Sequence, residues 1–134
     1  MLKNIILAQA TICLVTTWFA YSMRVAEQQR VACEAIKPIS GIQLYGDYEA
    51  DPDGGECMPG PEWLHDILGE DFFYRVDRIV LDEPFSDADI ERSLPRLRAL
   101  PGLKEIIIGN HRPGVSDSGI EHLRKALPHV KFLP

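Results

Sequence analysis

Five carboxylates crowd one stretch of this chain, at Asp47, Glu49, Asp51, Asp53 and Glu56, with Gly54 and Gly55 among them. Hard oxygen donors at alternate positions around a glycine turn are the ingredients of a calcium loop. On an EF-hand register from Glu49, Asp51, Asp53 and Gly54 fall on positions three, five and six, but Gly60 stands where the bidentate glutamate is needed. The stretch 46–59 therefore reads as a solvated acidic loop, and no metal is expected. His65, His111, His122 and His129 show no ligand spacing. Ser116-Asp117-Ser118 heads an apolar-periodic segment and reads as a helix cap before a nucleophile. No phosphate loop, dinucleotide fingerprint or nucleophile elbow occurs, so no catalytic residue, cofactor or small-molecule substrate is assigned and the chain is not read as an enzyme.

The remaining chemistry lies in an apolar frame. Val76, Ile79 and Leu81 are repeated by Leu103, Ile106 and Ile108, 27 residues on, and Val130 with Leu133 starts a third copy after another 27. A looser copy at Ile39, Ile42 and Leu44 precedes them by 37 residues, the excess being the acidic loop. A period near 27 is one strand plus one helix of a short solenoid. Along each strand the second and third frame positions point to the core. Gln43, Val80 and Ile107 fall between them, and Tyr45, Asp82 and Gly109 follow, all facing outward. Val80 and Ile107 then stand side by side with Tyr45 near, an apolar patch of the kind a partner covers. Gln43, Tyr45, Val80, Asp82 and Ile107 are the candidate partner-binding residues.

Helices must join these strands. Phe85-Ser86-Asp87-Ala88-Asp89-Ile90 aligns with Val115-Ser116-Asp117-Ser118-Gly119-Ile120. In each, the serine is placed to accept free backbone amides, and the next aspartate sits on the positive helix end. Ile90, Leu94 and Leu97, then Ile120, Leu123 and Leu127, form one apolar stripe per helix, and Pro101 and Pro128 mark the ends. Gly60-Pro61 opens a further helix with Trp63, Leu64, Ile67 and Leu68 on its apolar side and Gly69 as its stop. Gly41 opens the first strand. Crossovers between parallel strands are right-handed almost without exception, which gives an arc with strands inside and helices outside.

The frame and the Ser-Asp-x-x-Ile helix starts resemble a leucine-rich repeat of the ribonuclease-inhibitor-like type. The whole layout also resembles small bacterial membrane-anchored proteins of unknown function, through Gln29 to Ile36, Pro59-Gly60-Pro61-Glu62-Trp63-Leu64 and Leu68-Gly69-Glu70-Asp71-Phe72-Phe73. The resemblance brings no catalytic motif. The repeat's asparagine or cysteine ladder is missing, since Asp47, Pro84 and His111 stand there; the loop backbone on that edge must find other partners.

The fold expected is α/β: a transmembrane helix, then a short leucine-rich-repeat-like solenoid of three to four parallel strands with helices on the outer side. Its parts are a tail, 1–3; a membrane helix, 4–23; a juxtamembrane helix in solvent, 24–37; and the repeat domain, 38–134. No charge interrupts Ile5 to Tyr21, and with its flanks the run suits a bilayer core of about 30 Å. Trp18 and Tyr21 suit its interface. The rival is a signal peptide cut near Ala20-Tyr21-Ser22. Lys3 on one side and Arg24 and Arg30 on the other leave the membrane side open. A net charge of −6 over 134 residues argues against nucleic acid. Cys33 and Cys57 read as two free thiols; they are also the one candidate pair, and a bridge between them would require an oxidising compartment. These features imply a single-pass protein that binds another protein through its open strand face. The alternative is self-assembly by edge pairing of the strand Val130 to Leu133.

Overall fold

The computed structural model describes residues 1–47, 60–109 and 114–134. Most of the acidic loop, Cys57 and His111 lie outside them. The fold is mixed α/β, with a four-stranded sheet in the order β1-β2-β3-β4, of strands Ile42–Gly46, Val76–Leu81, Glu105–Ile108 and Lys131–Leu133. Helices α1 (Leu2–Ile36), α2 (Glu62–Leu68), α3 (Asp87–Ala99) and α4 (Asp117–Ala126) accompany it, with a 3-10 turn at Glu70–Phe72.

The first strand–helix unit stands as the spacing predicts. β2 pairs with β3 in parallel, Ile79 beside Ile106 and Val80 beside Ile107, a shift of 27. Ile79, Leu81 and Ile106 are fully buried in one core with Ile90, Leu94 and Leu97 of α3 and Leu123 and Leu127 at α4. The helix starts differ in an instructive way. At α4 the Ser116 hydroxyl accepts the Gly119 amide at 3.1 Å. At α3 the aligned residue is Asp89 and the box is reciprocal: the Ser86 side chain accepts the Asp89 amide, while the Asp89 carboxylate reaches back to accept the Ser86 amide at 3.1 Å and its hydroxyl at 2.9 Å. The lost ladder is replaced too: Asp87 accepts the Ser116 amide across units at 2.9 Å, and Ser86 bridges Gly114.

Three expectations are corrected. First, β1 is antiparallel to β2, so the sheet is mixed and Ile39, Ile42 and Leu44 do not begin a repeat unit. The cause is α1, whose Gln28 lies at the end of α3, donating to the Ala99 carbonyl at 2.8 Å, while Ala35 and Ile39 lie beside Arg92 and Arg96. It thus runs opposite to α3, and the short turn after Ile36 sends β1 back along β2. Antiparallel neighbours meet at the same end, and Gly46 accordingly pairs with Val76. Gly46, moreover, belongs to β1 and not to the loop.

Second, β4 is shifted by 26 from β3, not 27: Phe132 pairs with Ile106 and Leu133 with Ile107. A one-residue slip exchanges the faces. Phe132 turns to the core, with the Arg124 guanidinium of α4 5.8 Å from its ring, and Leu133 turns outward. Third, the segment 24–37 is not a helix in solvent. It continues α1 without a break, and its Ala26, Gln29, Ala32, Cys33 and Ile36 are buried. It forms the third helix over the sheet.

Candidate functional site

With α1, α3 and α4 all on one face, no described helix covers the other. Its residues follow from strand alternation. Gln43, Val80, Ile107 and Leu133 form one row across all four strands. Tyr45, Arg78, Glu105 and Lys131 form the next. Gln43 keeps its expected neighbour Val80 because it is the pivot about which β1 is reversed. Tyr45, expected near Val80 and Ile107, lies beside Arg78 in the next row.

Four of the five predicted residues lie in the two rows of this face, and Asp82 follows directly after β2. Gln43 and Tyr45 are exposed, and the Tyr45 hydroxyl donates to Gln43 Oε1 at 2.9 Å. Val80 and Ile107 are half-buried neighbours. Asp82 is committed to its own turn: its carboxylate accepts the Glu83 amide at 3.0 Å, and a side chain at Gly109 would meet it at 3.0 Å. The face is thus an apolar row of Val80, Ile107 and Leu133, bordered by a polar row in which Arg78 Nε meets Glu105 Oε2 at 3.2 Å. That pair is partly exposed and contributes at most about 1 kcal/mol.

Sequence reasoning missed Arg78, Glu105, Lys131 and Leu133. Period-two alternation carried back from Val80 and Ile107 would have found the first two; the last two depend on the slipped register of β4.

Buried chemistry lies elsewhere. Gln29, with no exposed surface, donates from Nε2 to Asp71 Oδ1 at 2.9 Å and to the Tyr74 carbonyl at 3.2 Å. Its Oε1 accepts the Val76 amide at 2.9 Å. Asp47, the first carboxylate of the acidic loop, accepts the Arg75 amide through its Oδ1 at 2.8 Å. His122 Nε2 lies 3.1 Å from Glu91. Among the described residues no group of three or more metal-ligating side chains gathers.

Cys33 is a buried free thiol whose pKa is pushed up to about 11, first by burial and then by the nearby Asp71 carboxylate, with Lys37 opposing. The thiolate is the nucleophile, so Cys33 is expected to resist iodoacetamide at pH 8 in the folded protein and to react on unfolding. Above its ordinary value of 9.0 the unfolded thiol ionises while the folded one keeps its proton until about 11. The unfolded state then binds fewer protons, and stability falls across that window. Labelling followed by mass spectrometry checks the first outcome and denaturant midpoints against pH the second. Rapid native labelling would contradict the assignment.

Comparison with family models, with curated proteins and with solved structures finds no match to this chain. Function must therefore be inferred from the face itself.

Proposed function

We propose that this is a single-pass membrane protein whose domain binds another protein through the open face of its sheet, a minimal relative of leucine-rich-repeat binding modules. The observation that carries the reading is the row Val80, Ile107 and Leu133, three apolar side chains in register on adjacent strands away from the helices. Such a row flanked by a charged one has the apolar-centre, polar-rim arrangement of protein interfaces. The anchor reading draws on α1, which is long and apolar enough to cross a membrane. Retention of its first half is favoured by Trp18 and Phe19, which pack on Phe72 of the domain. A membrane anchor raises local concentration, so weak binding suffices.

The test is crosslinking capture of the full-length protein from its native membrane, beside Val80→Glu with Ile107→Lys. The two substituted positions are in register, so opposite charges there are compatible with the sheet. Stability should change by about 1 kcal/mol or less per site, since strand-surface substitutions span that range. A partner captured by the native chain should be lost in the folded variant. Equal capture by both would remove this reading. The second reading, self-assembly, draws on the outer edge of β4, which has no strand partner among the described residues. Its three residues, Lys131 and the following Pro134 all blunt an edge. Crosslinks between copies through β4, and to nothing else, would favour it.

A further inference from the structure

The aromatic residues around α2 tie that helix to the membrane end of α1. Trp18 and Phe19 hold Phe72 between them, with ring centroids 6.2 and 5.6 Å away. Phe72 meets Phe73 edge-on at 5.2 Å, and Phe73 lies 4.6 Å from the His65 ring of α2. At the end of α2, Leu68 and Gly69 line a cleft with Met23 and Ala26 of α1. This contact falls inside the uncharged run. Arg24 is the first charged residue after Lys3 and comes six residues after Trp18, about 9 Å along a helix rising 1.5 Å per residue. Whatever touches Trp18 therefore sits at the boundary of the bilayer.

α2 nevertheless leaves large apolar side chains uncovered. Trp63 and Ile67 are one helical turn apart on one face and 61% and 69% exposed. Leu64, His65 and Leu68 are half-buried on its protein side. Glu62 and Asp66 continue the exposed arc, so the attraction of this surface is apolar and aromatic rather than directed at anionic charge. Tryptophan with an aliphatic neighbour, continuous with a membrane span, is a composition suited to the headgroup region.

We propose that α2 and the 3-10 turn lie in the membrane–water interface, with Trp63 and Ile67 seated among lipid headgroups and the first acyl carbons. This second lipid contact, which rests on the reading of α1 as a membrane span, holds the domain at a set posture on the bilayer instead of letting it swing on one helix. The sheet's open face is then presented at a set angle.

The chain has two tryptophans, so Trp18→Phe leaves Trp63 as the sole reporter and Trp63→Phe leaves Trp18. Each full-length variant is reconstituted in phosphatidylcholine vesicles carrying bromine either near the headgroup or at mid-chain. Emission from Trp63 should be quenched strongly, and more by bromine near the headgroup; Trp18 should be quenched as well. Quenching of Trp18 with Trp63 unaffected would overturn the proposal while leaving the span in place. Quenching of neither would overturn both. Trp63 indifferent to bromolipid yet shielded from soluble iodide would mean that protein, a second copy or a partner, covers α2, which also overturns it.

Discussion

Replacing Gln29 by methionine is expected to lower folding stability by about 3 kcal/mol, since each buried polar group left unpaired costs about 1–3 kcal/mol. Methionine is unbranched and of similar length, so the loss does not arise from a cavity. What disappears is a junction. Gln29 satisfies the Val76 amide at the start of β2 and also bonds the Asp71 carboxylate and the Tyr74 carbonyl, which Arg75 serves as well, joining α1 to segments more than 40 residues away. The loss should appear as a lower denaturant midpoint and as much faster hydrogen exchange of the Val76 amide. Gln29→Glu separates the roles of its two ends. It keeps an acceptor for Val76 but sets a second carboxylate against Asp71 at neutral pH. It should be less stable than the methionine variant at pH 7 and recover as pH falls through the carboxylate range. An unchanged midpoint in Gln29→Met would show that water replaces these bonds.

Gly41→Ala should cost about 3 kcal/mol, from two causes that a second glycine separates. Gly41 turns the chain from α1 into β1 at φ +82°. A left-handed conformation costs an alanine about 1–2 kcal/mol. A methyl group there would also collide with the Asp82 carbonyl and lie 2.5 Å from the Phe85 amide nitrogen, both backbone atoms that cannot swing aside. The 2.8 Å bond from the Asp82 amide to the Gly41 carbonyl would be strained with them. Gly69, at φ +79°, has nothing within 4 Å of the place a methyl group would take. Gly69→Ala should therefore lose only the conformational part, about 1–3 kcal/mol for its φ +79°, ψ 154° backbone. Urea midpoints of the two variants measure the collision by difference; equal losses would show that the Gly41 turn relaxes freely. Gly41 also places β1, so its substitution should displace Gln43 and Tyr45 from the outer face.

Much of the architecture is legible from local pattern. The stripe Ile90, Leu94, Leu97 and the caps at Ser86 and Ser116 locate two helices, and the spacing of 27 gives the pairing of β2 with β3. The uncharged run from Ile5 to Tyr21 marks a helix able to span a membrane. Gly69 ends α2, as a stop glycine should. Gln43, Tyr45, Val80 and Ile107, named from alternation, lie on the outer side of the sheet, because a strand's period of two separates its faces whichever way it runs; Asp82 falls just past β2, in a turn.

That same indifference to direction hid the rest. The alternation of Ile42, Gln43, Leu44 and Tyr45 reads alike forwards and backwards, so only the packing of α1 against α3 decided that β1 is antiparallel and that Tyr45 meets Arg78. At β4, Phe132 and Leu133 are both apolar, and the choice of which faces inward fell to the pairing with β3 beneath α4. Gln29 looks like any polar residue of a surface helix, since its three partners are distant in sequence. The sequence by itself determined where helices and strands lie and which side of each is apolar, because those depend on neighbours a few residues apart. Strand direction, the register of the last strand, the burial of Gln29 and the seating of Phe72 between Trp18 and Phe19 were decided by the tertiary structure, because each is a contest among contacts that exist only once distant segments have met.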